Sequence, residues 1–173
     1  MTTFDIAPAS RISPTPRDLP MFTIEHRVTA GDTSAVGPVY YARFIDWQGE
    51  CRERCGLMSA PVFSSDISGD YAMLTQSCSC EYLKELWFGD LVAVRLTVRW
   101  VRMHLMLGEF SFYRISAPSE SGGDLVARGV QMWASARKVD GHYEPCAWPR
   151  ELVECAAMYG ADISRAQIEE PVR

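Results

Sequence analysis

From residue 21 the chain alternates, with Phe22, Ile24, His26 and Val28 on one side and Thr23, Glu25 and Arg27 on the other. That period of two predicts a strand over Met21 to Ala30, ended by Gly31 and Asp32. The period then changes. Tyr40, Tyr41, Phe44, Ile45, Trp47, Cys51 and Cys55 fall in one broad arc at about 100° per residue, which predicts a helix. Gly37-Pro38 reads as its start, because proline fits the first helical position, and Gly56 as its C-cap. Asp46, Gly49, Glu50 and Glu53 form the opposite, solvated face. The apolar arc is wider than a surface helix needs, so the helix is expected to be wrapped on several sides.

After a loop rich in Ser, Asp, Pro and Gly between Leu57 and Asp70, strands follow almost without pause. They are expected over Tyr71–Leu83, Leu91–Met103, Leu105–Ser116 and Leu125–Val139. Leu91–Met103 is the clearest: Val92, Val94, Leu96, Val98 and Trp100 alternate with Ala93, Arg95, Thr97, Arg99 and Val101. Glu85 to Asp90 and the Ser119 to Gly123 segment separate the strands, and Asp140-Gly141 is a hairpin-type turn signal. Pro149 opens a short helix from Arg150 to Met158. One long helix with about five mostly antiparallel strands makes an α+β layer design. Such a sheet cannot by itself surround a helix that is apolar on so many sides, so at least a homodimer is expected. The proline-rich residues 1–20 read as an arm, 21–160 as the domain and 161–173 as a tail.

Two polar residues interrupt the apolar arc. Gln48 and Arg52 line up with Tyr41 and Ile45 along one file of the helix. A cation there must find a partner or a ligand, because an unpaired buried charge is expensive. Both a structural pair and a site residue remain open for Arg52. Ser34, in the loop before the helix, reads by itself as a turn or capping serine.

Composition narrows the classes. At 173 residues and 47% hydrophobic, the chain can bury one good core as a single domain. Net charge is -5 with no block of Lys or Arg, which argues against nucleic acid as the main partner. No apolar run approaches the ~20 residues of a membrane span, and no basic-then-apolar signal opens the chain; a cytoplasmic protein is expected. Cys51, Cys55, Cys78, Cys80, Cys146 and Cys155 match neither zinc-pair spacing nor a secreted disulfide framework, so they read as small buried hydrophobes and no metal site is expected.

Four segments carry a resemblance. Gly37-Pro-Val-Tyr-Tyr41, Trp47-Gln-Gly-Glu-Cys-Arg-Glu53, Cys78-Ser-Cys-Glu-Tyr82 and Leu125-Val-Ala-Arg-Gly129 come in the order strand, loop, helix, four strands. Together they resemble the hot-dog fold thioesterases of the 4-hydroxybenzoyl-CoA thioesterase type, and within them those of enediyne polyketide pathways. The resemblance runs from about residue 21 to 155. It implies a curved antiparallel sheet around a central helix, paired as a homodimer and assembled as a homotetramer. It also implies hydrolysis of an acyl thioester on CoA or on an acyl carrier protein, without metal or cofactor. In one branch of the family a loop aspartate is nucleophile or base; in the enediyne branch an asparagine takes its place and a helix arginine joins it. Here those positions fall on Ser34 and Arg52.

Thioester hydrolysis needs a polarised carbonyl, a placed water and a departing thiolate. The helix start offers free N–H groups and partial positive charge, and the backbone N–H of Tyr41 is the expected oxyanion donor. Arg52, three turns on, is expected to hold a water or an acyl oxygen, and Ser34 to orient water. Gly37, Pro38, Tyr40, Phe44, Ile45 and Gln48 are the expected substrate contacts. A Ser-His-acid nucleophile is disfavoured, since His26, His104 and His142 accompany no Gly-x-Ser-x-Gly elbow. Arg95, Arg99, Arg102, Arg114 and Arg128 suit either a carrier-protein contact or a solvated face. An acyl-binding accessory protein of the same fold and a general acyl-CoA thioesterase stay as alternatives.

Overall fold

The computed structural model describes residues 20–59, 69–115 and 123–169. Most of the expected arm, the greater part of the loop between Leu57 and Asp70, and the segment before Gly123 lie outside them. The elements are β1 (Phe22–Arg27), a 3-10 turn (Ala30–Asp32), α1 (Ala42–Ser59), β2 (Tyr71–Tyr82), β3 (Leu91–Met103), β4 (Leu105–Arg114), β5 (Asp124–Val139), β6 (His142–Pro145), α2 (Arg150–Met158) and β7 (Asp162–Ala166).

The strands form one antiparallel sheet in the order β1-β3-β4-β5-β2, the five expected, with two short additions. β6 turns back on β5 through Asp140 and Gly141, both at positive φ (49° and 86°), as a two-residue hairpin turn demands. β7 runs parallel to β3 from Trp100 to Met103, beyond the point where β1 ends. The segment from 161, read from sequence as a tail, therefore adds a strand to the sheet. No helix among the described residues is long and apolar enough to cross a membrane.

α1 lies across the inner face. Phe44, Trp47, Cys51 and Cys55 are buried. Phe44 packs edge-on against Phe112 (5.3 Å) and Trp47 lies 4.7 Å from the His26 ring of β1. Burial pushes the Cys51 thiol up to about 12, so it packs as an inert small side chain.

Both expected ends of α1 are corrected. Gly56 is not a cap: the helix runs through it to Ser59, and Gly56 lines a small void together with Leu152 and Ala156 of α2. Nor is Pro38 the first helical residue. Gly37 has φ 109°, Val39 bridges Thr33, and the Val39 N–H donates to Leu86 O at 2.8 Å. These bonds draw 38 and 39 into an extended path, and the helix begins at Ala42.

Candidate active site

The loop before α1 is built on Asp32. Its Oδ2 accepts from the Thr29 N–H (2.8 Å), the Thr29 hydroxyl (2.7 Å) and faces His26 Nε2 at 3.1 Å. Burial raises its carboxyl, but the Thr29 hydrogen bonds and His26 outweigh that, leaving it below the ordinary carboxylate range. A carboxylate held through Oδ2 by Thr29 and His26, with Arg43 Nε 4.0 Å from Oδ1, is a brace for the loop and a poor base. Its stabilisation is present above the unfolded value of about 4 and is lost as pH falls through the lower folded value. Asp32→Asn is therefore expected to remove about 2 kcal/mol at neutral pH, and the gap from wild type to close in acid. Urea melts of both proteins across that range check this.

Beyond Asp32 the chain makes a tight turn. The Ser34 N–H donates to Pro38 O (2.8 Å) and the Gly37 N–H to Ser34 O (3.0 Å). The Ser34 hydroxyl oxygen is buried and has no hydrogen-bond partner. Gly37 is required here: a Cβ would meet the Trp87 ring at 2.8 Å, and φ 109° suits no side chain. Trp87 belongs to the β2–β3 connection, whose Leu86 carbonyl also holds Val39, so this connection clamps the turn.

Two openings flank α1. A cleft of about 260 Å³ at its amino end is lined by Pro38, Val39, Tyr41, Phe44, Tyr82 and Leu86, among others. Tyr82 ties the strand side of this cleft to the start of α1. Its hydroxyl donates to Tyr41 O (3.0 Å), its ring meets Phe44 edge-on at 5.2 Å, and burial first, with Cys80 beside it, pushes it up to about 12. It remains a neutral donor at any working pH. The Tyr40 N–H is taken by Asp32 O (2.8 Å), whereas no backbone carbonyl among the described residues accepts from the Tyr41 N–H. No acidic residue lies in the first turn to offset the positive end of the helix.

The second opening, about 410 Å³, runs between α1 and β2 and is lined by Ile45, Gly49, Arg52, Thr75, Cys78 and Gln131, among others. Arg52 Nη1 donates to Thr75 Oγ1 (2.7 Å), and Nη2 lies 3.5 Å from the exposed Glu53. Its Nε is buried without a hydrogen-bond partner. Burial lowers its pKa while Glu53 opposes that.

The expected site residues thus divide. Pro38, Tyr41 and Phe44 line the cleft, with Ser34 and Gly37 in the adjoining turn; Tyr40 is half-exposed with its ring against Tyr41 (4.6 Å). Ile45 and Arg52 belong to the other opening. Gln48 lines neither. It is fully buried and donates to Ser79 O (3.2 Å) over Gly129, where a Cβ would meet the amide at 2.2 Å. It pegs helix to sheet. Sequence reading did not single out Tyr82, Trp87 or Thr75; two adjacent aromatics, Trp87 and Phe88, in a short connection between strands were the available signal.

No protein-family model and no curated protein matches the chain. Solved structures do. The dynemicin thioesterase, whose crystal structures revealed induced-fit and allosteric effects of polyene binding, is 30% identical, with 82% of this chain and 97% of that one covered and a TM-score of 0.75. A 1,4-dihydroxy-2-naphthoyl-CoA thioesterase from Synechocystis is 22% identical over 79% of this chain and 96% of that one, TM-score 0.68. The 4-hydroxybenzoyl-CoA thioesterase of a Pseudomonas strain is 18% identical over 79% and 99%, TM-score 0.67. The last two share the fold.

Proposed function

The chain belongs to the hot-dog fold thioesterases, and from that premise we propose that it releases a polyketide acyl chain from the phosphopantetheine arm of an acyl carrier protein, as a homodimer whose subunits share each site. The 30% identity to a thioesterase that binds a polyene supports an extended unsaturated chain as the acyl group.

One observation carries the shared site. The Tyr41 N–H, just before α1, and Arg52 are about 16 Å of helix rise apart, too far to act on one thioester within a subunit. Both border β2, which is hydrogen-bonded to β5 on one side and ends the sheet on the other. That edge is uncharged from Ala72 to Cys80, with Leu74 39% exposed, and lacks the lysines or prolines that keep edges single. Antiparallel pairing of two such edges sets the Tyr82 end of one strand against the Thr75 end of the other. Arg52, bonded to Thr75, then faces the second copy's cleft. This arrangement is isologous and closes as a dimer.

In such a site the Tyr41 N–H and the positive end of α1 polarise the thioester carbonyl, and Arg52 of the second copy stabilises the oxyanion formed as water attacks. Ser34, whose hydroxyl is buried and unpartnered in the turn beside the cleft, orients that water once substrate binding opens the turn. Collapse of the tetrahedral intermediate expels the thiolate, which takes up a proton, and leaves the carboxylic acid. Asp32 takes no part, being held by Thr29 and His26.

The test compares one acyl group carried on carrier protein and on CoA. We expect kcat/KM at least about tenfold higher on the carrier. Equal rates would make the chain a general acyl-CoA thioesterase, and tight carrier binding without cleavage would make it an accessory protein.

A further inference from the structure

Cys78 and Cys80 are free thiols on β2, two residues apart, so their side chains share one face of the strand. That face is the inner one. Cys78 lines the groove that Arg52 borders, and Cys80 is paired with Gly129, which faces Gln48 of α1. Both depart from the expectation of small buried hydrophobes: Cys78 is exposed and Cys80 half-buried, whereas Cys51, Cys55 and Cys155 are buried. Residues 74 to 79 are exposed without a break, so among the described residues nothing covers this length of the edge strand.

We propose that Cys78 of one subunit and Cys80 of the second copy form a reversible disulfide, twice per dimer, that staples the shared edge under oxidising conditions; this rests on the homodimer reading above. The register decides the pairing. With Tyr82 opposite Thr75, and Gln76 taken up by the register shift between Thr75 and Ser77, Ser79 meets its own copy at the two-fold axis. Cys78 then stands directly opposite Cys80 of the second copy, and Cys80 opposite Cys78. Opposed residues of antiparallel strands have Cα atoms about 4.5 or 5.5 Å apart, and a disulfide spans either distance. A peroxide is the oxidant. The Cys78 thiolate, reached through the groove, attacks one peroxide oxygen and expels hydroxide, which takes up the proton the thiol gave up. The sulfenic acid left behind is attacked at sulfur by the Cys80 thiol of the second copy, and its hydroxyl leaves with that thiol's proton as water. Two thiols and one hydrogen peroxide thus give one disulfide and two waters. Burial pushes the Cys80 thiol up to about 11, which leaves the first step to the exposed Cys78. The bridges lie on the wall of the groove that Arg52 borders, so they hold the two shared sites in register against dissociation.

The test treats the full chain with hydrogen peroxide and reads cross-linking on denaturing gels without reductant. Wild type is expected to run as a covalent pair and to return to single chains with dithiothreitol. Cys78→Ser and Cys80→Ser each remove one half of both bridges, so neither variant cross-links with itself. Heterodimers of the two, co-expressed and isolated through a different affinity tag on each chain, cross-link again, because the Cys80 kept by one chain meets the Cys78 kept by the other. Cross-linking by either variant alone, or none in the heterodimer, overturns the proposal. Sedimentation of reduced wild type separates this idea from its premise. A monomer sinks the homodimer reading and the bridge with it, whereas a dimer that peroxide leaves uncrosslinked overturns the bridge alone. Acyl-thioester cleavage is measured in parallel, and its absence in protein that cross-links as described sinks the thioesterase reading and keeps the bridge.

Discussion

Arg52→Ala is expected to lower kcat by about a hundredfold while leaving the fold intact. A preorganised charged donor aimed at a developing oxyanion contributes about 3 kcal/mol to the barrier. The same substitution costs little in stability. Glu53, the nearest carboxylate, is 58% exposed and is rehydrated when the cation leaves, and the partly buried guanidinium takes its own desolvation penalty with it. The Thr75 hydroxyl loses one hydrogen bond at the edge of a groove that water can enter. Unfolding free energy should therefore move by no more than about 1 kcal/mol. A kcat equal to wild type would remove Arg52 from the chemistry. A complementation experiment then asks whether the site is shared. Gly37→Ala forces a side chain against Trp87 at φ 109° and disables the turn at the other half of the site. Hybrid dimers of Arg52→Ala with Gly37→Ala carry both lesions in one site and none in the other. Random mixing should recover about a quarter of wild-type activity, and no recovery would place Arg52 and Gly37 in the same subunit's site.

The strands that bury one or both faces were legible in the sequence. β3 occupies Leu91–Met103 and α2 occupies Arg150–Met158, the bounds expected from alternation and from Pro149, because period and punctuation there agree with tertiary structure. The start of α1 was not legible. Gly37-Pro38 carries a helix-start signature, yet hydrogen bonds from the Val39 and Tyr40 N–H groups to the carbonyls of Leu86 and Asp32, both outside the helix, set residues 38–40 in another path. β7 was missed for a different reason: four of its five residues are exposed, so its place rests on pairing with β3 and leaves no hydrophobic period to read. Arg52 stood out because a cation in an apolar arc is anomalous on any fold, and it lies on the groove beside Thr75. Gln48 looked equally anomalous, and only the partner glycine at 129, a gap in the middle of a strand, reveals it as a peg. Tyr82 sits at the end of a largely exposed strand, and its role depends on a contact 41 residues away, which periodicity does not register.

Gly108→Ala is expected to be among the most destabilising single-methyl additions in the protein. Gly108 lies on the inner face of β4, opposite Val98 and Gln131. A Cβ there would come within 2.2 Å of Trp133 Cη2 and 2.8 Å of Cζ2. Many close contacts of this kind are relieved by a side chain that swings aside, but this indole has nowhere to go. It is 2% exposed, its N–H donates to the buried Gln131 Oε1 at 2.7 Å, and its face meets Phe110 edge-on at 6.3 Å. Overpacking of about 3 kcal/mol follows, reduced only slightly by the lower backbone entropy of alanine in the unfolded chain. For a chain of this size that corresponds to a fall in Tm of about 6–12 °C. The cause can be isolated by a double-mutant cycle with Trp133→Phe, which withdraws the ring atoms that the new methyl would strike. Trp133→Phe alone loses the indole hydrogen bond and leaves a void, and so destabilises by itself. In the Trp133→Phe background the further cost of Gly108→Ala should shrink by at least about 2 kcal/mol, a favourable coupling between the two sites. Additive losses would mean that β4 resents the methyl for a reason of its own backbone, with the indole uninvolved.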